Sequence, residues 1–230
     1  DLFATVPDTS SFCRLNRSKT TLSVAFGEKI PLENFSGAIG GNATNVSIGL
    51  SQLQLRTALV SHVGDDEHGK KILEALKKST VHTGYVHTKK NQATRTSMII
   101  QYQNERTIFS HHVAQSYPVS ALPKSSWIYL TSLSQGSEAL TEKILRTKQK
   151  KAAPGLAFNP GSYHMQHGLA LTKQILPFVD VLFVNTQEAA RLLEKKASIQ
   201  RYCAFFHDQG ISTVVITDGE KGSYASTTTS

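Results

Sequence analysis

The chain contains few of the residues that define specialised classes of protein. Its 230 residues include two cysteines, Cys13 and Cys203, two methionines and one tryptophan. So few cysteines exclude a disulfide framework, and we expect a protein of a reducing compartment, the cytoplasm. The longest apolar run, 175–184, is broken by Pro177 and Asp180. It therefore does not supply the roughly 18 apolar residues that a membrane helix needs.

Several common catalytic and binding motifs are also missing. The sequence has no P-loop, no G-x-G-x-x-G dinucleotide fingerprint, no His-Glu-x-x-His and no Cys-x-x-Cys pair. The absence of the last two argues against a zinc site. His111 and His112 are adjacent, so they point to opposite faces if they lie in a strand. We interpret both as surface or packing residues.

The charge balance is basic, with 25 Lys plus Arg against 17 Asp plus Glu and a net charge of +8. Hydrophobic residues make up 39% and charged residues 18% of the chain, as in ordinary globular proteins of one or two domains. The basic residues are spread along stretches such as 143–151 and 191–201, without interleaved aromatics. This pattern is typical of solvated helix faces, so we expect neither nucleic acid nor a membrane as partner.

The first half of the chain mixes short strands with two helices. Residues 22–26 alternate between apolar and polar types, which predicts a strand. Helical spacing predicts helices over 42–53 and 67–78, and the segments 96–102 and 106–110 predict a hairpin around a polar turn. The buried face of the first helix is predicted to consist of Val46, Leu50 and Leu53.

From Trp127 onward, predicted strands and helices alternate regularly. The predicted strands are 128–131, 155–159, 179–184 and 213–217, and the predicted helices are 137–150, 167–176, 187–195 and 199–209. This alternation predicts an α/β fold with a parallel sheet and helices on both faces. The earlier strands, which lie outside the alternation, predict a small accessory sheet.

Two glycine-containing motifs precede the two early helices. In Gly40-Gly41-Asn42-Ala43-Thr44-Asn45, the glycines allow a close backbone approach to a ligand, and we interpret Asn42 as the helix N-cap. Asn45 follows one turn later, where its amide can bind a polyol; the alternative is a tight strand-to-helix turn. In 63–69, the spacing of Asp65 and Asp66 gives no metal-ligand set, so we interpret these aspartates as helix caps.

Three polar turns follow predicted parallel strands, where open α/β sheets bind ligands. The first begins at Asn159, although its Pro-Gly pair is by itself a simple turn. In the second, Asn185 and Glu188 share a helical face, and the carboxylate could hold a magnesium-bound water beside phosphates. The alternative for this pair is a capping box. The third, 217–222, could present N–H groups to phosphate oxygens or simply close a hairpin with left-handed glycines.

Taken together, these segments resemble the ribokinase-like sugar kinases, the phosphofructokinase-B-type family. Residues 40–46 and 63–69 resemble the family's N-terminal signature. Asn185-x-x-Glu188 resembles its magnesium and phosphate motif, and Thr217-x-Gly219-x-x-Gly222 its nucleotide-phosphate turn. Asp1 looks like the aspartate that ends the first core strand of the family and binds sugar hydroxyls. The order and spacing agree with the family over nearly the whole chain.

The resemblance implies a three-layer α/β/α sandwich with a mostly parallel central sheet and a small β-sheet lid. We expect a single domain over 1–230, incomplete at both ends, with lid strands within about 15–40 and 95–112. The implied reaction is phosphoryl transfer from ATP, with Mg²⁺, to a hydroxymethyl group of a sugar or, as an alternative, a nucleoside. A homodimer through the lid is also expected.

The resemblance further implies two sets of site residues. The substrate-binding residues are Asp1, Gly41, Asn45 and Asn159. The nucleotide-binding residues are Asn185, Glu188, Thr217, Gly219 and Gly222, with Glu188 also serving the metal.

The chain departs from the family pattern in two places. The general base and anion hole of the family come from a later Gly-Ala-Gly-Asp motif, which is absent up to Ser230. We therefore expect the catalytic base beyond Ser230, with a non-catalytic sugar- or nucleotide-binding relative as the alternative. Ribokinases proper carry a sugar-contacting glutamate after the strand 128–131, where this chain has Ser132-Leu133-Ser134. The resemblance therefore does not assign D-ribose.

Overall fold

The computed structural model describes residues 1–18, 20–111, 117, 122–166 and 169–228. Its strands are β1 (Leu2–Thr5), β2 (Cys13–Leu15), β3 (Leu22–Val24), β4 (Asn34–Gly37), β5 (Ser61–Gly64), β6 (Val86–Lys89), β7 (Ser97–Tyr102), β8 (Glu105–Ser110), β9 (Trp127–Thr131), β10 (Gly155–Asn159), β11 (Val181–Asn185), β12 (Thr213–Thr217) and β13 (Ser223–Thr227). Its helices are α1 (Asn42–Gln52), α2 (Glu67–Lys78), α3 (Glu138–Lys148), α4 (Ser162–Gln166), α5 (Leu169–Ile175), α6 (Thr186–Leu193) and α7 (Ile199–Asp208).

These elements form two compact units. Unit 1 comprises the described residues of Asp1–Gly40, Val63–Lys78 and Thr88–Val113. Unit 2 comprises those of Gly41–His62, Ser79–His87 and Ala114–Ser230.

Unit 1 contains a four-stranded sheet in the order β4-β1-β7-β8. Strand β1 runs antiparallel to β4 and parallel to β7, and β7 and β8 form an antiparallel hairpin. The two turn residues of the hairpin, Gln103 and Asn104, have φ angles of 49° and 62°. Such left-handed pairs suit the twist of two-residue hairpins. The predicted hairpin is therefore confirmed.

The apolar core of unit 1 is small. Val6, Cys13 and Tyr102 form a buried cluster, and the Tyr102 hydroxyl donates a hydrogen bond to the Cys13 carbonyl at 3.3 Å. Helix α2 has the bounds that its periodicity predicted, and its Leu76 is fully buried.

Unit 2 is built on a five-stranded sheet in the order β13-β12-β11-β10-β9. Strands β9 to β12 are parallel, and β13 returns antiparallel to β12. Helices lie between successive parallel strands along the chain, because parallel neighbours need a crossover connection. The predicted α/β fold is confirmed. The inward residues of the three central strands are almost completely buried: Leu156, Phe158, Leu182, Val184, Val214 and Ile216.

Some predicted details are wrong. Helix α1 ends at Gln52, and Leu53, predicted to lie on its buried face, is 73% exposed, whereas the buried residue of α1 is Ser47. Leu53 is the C-cap of α1, so it lies where the helical spacing of the buried face has ended, and Gln54 after it has a φ of 63°. The predicted helix 167–176 is present as α5, whereas the short helix α4 before it was not predicted. His167, like His112, lies outside the described residues.

Two further findings concern cysteines and membranes. Cys13 and Cys203 are both buried and unpaired. Within the described ranges, no helix combines the length and the apolar character that crossing a bilayer requires.

Candidate functional site

Polar residues end neighbouring parallel strands at one edge of the unit 2 sheet. Asn159 ends β10, Asn185 ends β11 and Thr217 ends β12. Asn185 and Thr217 are direct register partners, and Asn159 is paired in the same way with Thr131 at the end of β9. The sheet thus brings three of the predicted site residues to its carboxyl edge, where ligands bind in open α/β sheets.

Asn185 and Glu188 form a complete capping box at the start of α6. The Asn185 side-chain oxygen accepts the Glu188 N–H at 2.8 Å, and Glu188 Oε2 accepts the Asn185 N–H at 2.9 Å. Burial raises the pKa of Glu188, and the hydrogen bond from the Asn185 N–H partly opposes this shift. Within the described residues, Glu188 Oε1 forms no hydrogen bond, so one carboxylate oxygen is left over from the cap.

The segment 217–222 closes the hairpin between β12 and β13. The Asp218 N–H donates to the Gly222 carbonyl at 2.8 Å, and the Gly222 N–H donates to the Gly219 carbonyl at 3.0 Å. Gly219 and Gly222 adopt φ angles of 56° and 89°, which a side chain would disfavour. The hairpin predicted as the alternative is therefore present. The N–H groups of Gly219 and Glu220 take no part in these turn hydrogen bonds, and donors of this kind can bind phosphate oxygens.

Asp218 ties this turn to helix α6. The Thr186 hydroxyl, in the first turn of α6, donates a hydrogen bond to Asp218 Oδ1 at 3.1 Å. Lys221 Nζ lies 3.5 Å from the other oxygen of the same carboxylate. The turn and the capping box are therefore held together as one structure, through two residues that sequence analysis missed. A Thr after an Asn and an Asp after a Thr give no signal of this contact.

Gly41 and Asn45 lie at the start of α1. Gly41, with φ 100°, is the N-cap, so the interpretation of Asn42 as the N-cap is wrong. The Asn42 amide instead donates a hydrogen bond to Ser132 Oγ at 2.7 Å. Asn45 is exposed one turn into the helix, with its N–H bonded to the Gly41 carbonyl at 2.9 Å. Its side chain is available to a ligand.

Asn159 is already partly engaged. Its side-chain nitrogen donates a hydrogen bond to the Phe183 carbonyl of the neighbouring strand at 2.9 Å. The amide therefore helps to join β10 to β11, and the side-chain oxygen is the group left for a ligand.

Asp1 directly precedes β1 in unit 1. Its carbonyl accepts the Ala38 N–H at 3.0 Å, which joins it to the segment before Gly40. A Cβ at Gly40 would collide with the Asp1 carboxylate, so the carboxylate lies directly over the Gly40 backbone. Only glycine leaves room for this arrangement.

The motif 63–69 in unit 1 forms a closed hydrogen-bond network. Asp66 accepts the Gly69 N–H at 2.8 Å and the Thr94 N–H at 2.8 Å, and it also accepts the Thr94 hydroxyl. The hydrogen bond from the Thr94 hydroxyl is the largest reason that the pKa of Asp66 falls to about 2. Asp66 therefore caps α2 as predicted. Asp65 does not, since its carboxylate accepts the Asn91 N–H at 3.1 Å.

His164 is a buried residue that sequence analysis did not single out. Its Nδ1 accepts the Gly161 N–H at 3.2 Å, and its ring meets Phe158 edge-on. Burial lowers the pKa of His164 to about 4, so the ring is neutral at physiological pH.

Among the described residues, no three His, Cys, Asp or Glu side chains are grouped so that they could hold a metal. Glu188 Oε1 is nevertheless a hard oxygen donor in the first turn of α6, which the hydrogen bond from Thr186 to Asp218 joins to the turn 217–222. This fits Mg²⁺, which usually keeps several waters and binds through one or two carboxylates and substrate phosphates.

Comparisons with known proteins agree on one family. The model of the pfkB family carbohydrate kinases matches residues 11–230. The ribokinase of Haemophilus influenzae is 25% identical over 210 residues, which cover 87% of this chain and 67% of that protein. The chain thus spans about two thirds of the length of this relative.

Solved structures share the fold. Arabidopsis thaliana ribokinase, complexed with ribose and ATP, matches with a TM-score of 0.70 at 20% identity, covering 98% of this chain and 71% of that one. Vibrio cholerae fructokinase, in a form with bound fructose, ADP and calcium ion, matches with a TM-score of 0.73 at 20% identity. The match covers 100% of this chain and 72% of the fructokinase. The fold is therefore ribokinase-like.

Proposed function

The chain belongs to the pfkB family of carbohydrate kinases, and we propose that it transfers the γ-phosphoryl group of ATP to a hydroxymethyl group of a sugar. One observation carries the proposal for this chain in particular. The paired strand ends Asn185 and Thr217 bring the capping box of α6 and the turn 217–222 to a single place. A carboxylate oxygen, a hydroxyl and turn N–H groups there match what a nucleotide phosphate and its metal require.

On the nucleotide side, we assign phosphate contacts to the segment that begins at Thr217. The left-handed glycines Gly219 and Gly222 shape the turn, and Thr217 supplies an exposed hydroxyl. Asn185 fixes the start of α6, whose positive dipole end favours phosphate charge.

Magnesium would be held through water by Glu188, with ATP phosphates as the remaining ligands. When bound, the ion neutralises charge on the transferring phosphoryl group. The Glu188 carboxylate would order a water of the ion, and the hydrogen bond that it accepts from the Asn185 N–H orients it.

In unit 2, we assign sugar hydroxyls to Gly41 and Asn45, with Asn159 contributing its side-chain oxygen. In unit 1, the residue that we assign to a sugar hydroxyl is Asp1. Binding of this kind holds the attacking hydroxyl in line with the phosphoryl group, which is the main demand of the reaction. A non-catalytic binding protein is the alternative, and a nucleoside is the alternative acceptor.

The test is ADP release by the full natural chain with ATP and Mg²⁺ against pentoses, hexoses, keto-deoxy acids and nucleosides. We expect turnover with a sugar, and Thr217→Ala should raise the KM for ATP. Thr227→Ala is the matched control, since Thr227 is exposed at the opposite end of the same hairpin. Turnover with nucleosides alone would select the alternative acceptor. Binding of ATP and a sugar without turnover would support the alternative, a non-catalytic binding protein.

We further propose that a second copy of the chain covers the sheet of unit 1. Met98 and Phe109 are opposite each other on β7 and β8, and they are 44% and 55% exposed. Phe35 of β4 lies on the same face and is 61% exposed. Sedimentation equilibrium should find a dimer that Phe109→Glu dissociates and that Gln52→Glu, on exposed α1 surface, leaves intact. A monomeric wild-type protein would contradict the proposal.

A further inference from the structure

Ser132 has a backbone conformation that serine rarely adopts. It follows β9 directly, in unit 2, and its φ angle is 39°. A left-handed residue other than glycine is strained, and such strain persists only where the surroundings enforce it. Strained residues of this kind cluster at functional sites.

Three neighbours enforce this conformation. The Asn42 amide donates to Ser132 Oγ at 2.7 Å, and the Thr131 hydroxyl donates to the same oxygen at 3.4 Å. On the other side, the Gly161 backbone lies close to Ser132, since a Cβ added at Gly161 would lie only 2.6 Å from Ser132 Cα. We use the name clasp for Ser132 together with the two neighbours from other segments of the chain, Asn42 and Gly161.

The loop after Ser132 also contains two buried hydroxyl groups that destabilise its conformation. Ser134 and Ser137 are 4% and 0% exposed, and within the described residues their hydroxyls have no hydrogen-bond partner. Buried hydroxyls without partners disfavour a conformation. The strained backbone of Ser132 and these two hydroxyls therefore disfavour the loop conformation, and burial of Leu133 and the contacts of the clasp help to hold it.

The clasp also fixes the first turn of α1. Because Gly41 is the N-cap, the Asn42 side chain is not needed to cap the helix. Its hydrogen bond instead joins the start of α1 to the carboxyl end of β9, and Gly161 extends the connection to the end of β10. Asn45 lies in the turn that Asn42 begins, and Asn159 lies two residues before Gly161.

We propose that the clasp is a positioning device for the acceptor: Asn42 and Ser132 hold Asn45 at a fixed place relative to the ends of β9 and β10. The inference rests on the proposed function and deepens it. The strain at Ser132 is retained because it sets the geometry of the acceptor side, and Asn42 and Ser132 act through Asn45 as positioning residues.

The first test replaces Ser132 by glycine, which removes the hydroxyl and relieves the backbone strain. We expect the melting temperature of Ser132→Gly to stay the same or rise, while the KM for the acceptor rises about tenfold and the KM for ATP does not change. Gln54→Gly is the matched control, since Gln54 has φ 63° in the turn after α1. It relieves the same kind of strain and should leave both KM values unchanged. Equal changes in both KM values for Ser132→Gly would overturn the inference.

A double-mutant cycle then tests the hydrogen bond itself. Asn42→Ala and Ser132→Ala should each raise the acceptor KM about tenfold, and the double variant should be no worse than either, because all three lose the same contact. Asn42→Asp keeps an oxygen that can accept a hydrogen bond from the Ser132 hydroxyl, so it should recover most of the wild-type KM. Multiplying effects in the double variant would overturn the proposal.

The same cycle in melting temperature separates this inference from the proposed function. It needs no substrate, and we expect shifts that are not additive. Absence of wild-type turnover with every acceptor, together with non-additive melting shifts, would reject the proposed function and the acceptor role while leaving the contact in place. Additive melting shifts would reject the clasp whatever the reaction is.

Discussion

Asn185 and Glu188 each accept a hydrogen bond from the other's backbone N–H at the start of α6, at 2.8 and 2.9 Å. The pair therefore has a structural role without any ligand. It supplies hydrogen-bond acceptors to N–H groups at the start of the helix, which lack partners within the helix. A glutamine at residue 188 can accept the same hydrogen bond. The charge of Glu188 can thus be removed while the cap is kept.

Glu188→Gln should lower kcat by roughly ten- to a thousand-fold, the range for a lost electrostatic contact in a closed site. The magnesium concentration for half-maximal rate should rise, because a neutral amide orders metal-bound water less well than a carboxylate. The melting temperature should barely move. Steady-state rates in a magnesium titration, with melting curves alongside, measure all three.

The matched control for this variant is Glu194→Gln. Glu194 ends the same helix and pairs with Lys173 on the surface, so its charge is lost far from the capping box. Its kcat and magnesium midpoint should match the wild type. If Glu188→Gln behaves like this control, Glu188 is only a cap, and the metal assignment fails.

Asn45→Ala should raise the KM for the acceptor and leave the KM for ATP nearly unchanged. An unpaired hydroxyl in a closed site costs about 1–3 kcal/mol, which corresponds to roughly 5- to 150-fold in KM. Gln52→Ala, exposed at the other end of α1, is the control for effects on the helix. A parallel rise in both KM values would indicate a disturbed helix rather than a lost sugar contact.

His164 should make the folded state sensitive to acid. Its pKa is lowered to about 4 in the folded protein, against 6.5 when unperturbed. The unfolded chain therefore binds a proton first, so stability from the neutral ring is present above pH 6.5 and is lost as the pH falls toward 4. The expected loss at pH 4.5 is about 2–3 kcal/mol.

Urea unfolding at pH 7.5 and 4.5 measures this loss. His164→Gln keeps an acceptor for the Gly161 N–H but does not titrate, so its stability should differ less between the two pH values. His68→Gln, on the exposed surface of α2, should keep the wild-type difference. An unchanged pH difference in His164→Gln would mean that other groups dominate.

Asp66→Asn should destabilise unit 1 by about 1.5–3 kcal/mol, the range for hydrogen bonds to a charged group. The carboxylate accepts three hydrogen bonds from Gly69 and Thr94, and an amide offers only one acceptor atom. Because the pKa of Asp66 is lowered to about 2, its contribution is complete above pH 3.8 and is lost as the pH falls toward 2.

Denaturant unfolding at neutral pH is the measurement, with Asp65→Asn as the control. Asp65 is exposed and accepts a single N–H hydrogen bond, from Asn91, so its replacement should cost less than about 0.5 kcal/mol. Equal losses in the two variants would contradict the network described for Asp66.

The sequence by itself determined the fold class, the order of the elements and the edge of the sheet where polar residues gather. Periodicity alone placed α2 at its observed bounds, and the alternation after Trp127 implied the parallel strands. The capping box of Asn185 and Glu188 was also readable, because its two residues are only three positions apart and the contact is local. Patterns of this kind are set by backbone geometry over a few residues.

Only the tertiary structure decided which residues that are distant in the sequence contact each other. Asn42 and Ser132 are 90 positions apart, and no local pattern shows that the Asn42 amide leaves the helix cap to bond Ser132. The exposure of Leu53 and the engagement of Asn159 with Phe183 likewise depend on which surfaces meet. A side chain with several hydrogen-bonding atoms has many potential partners, and the packing of distant segments determines which partner it binds.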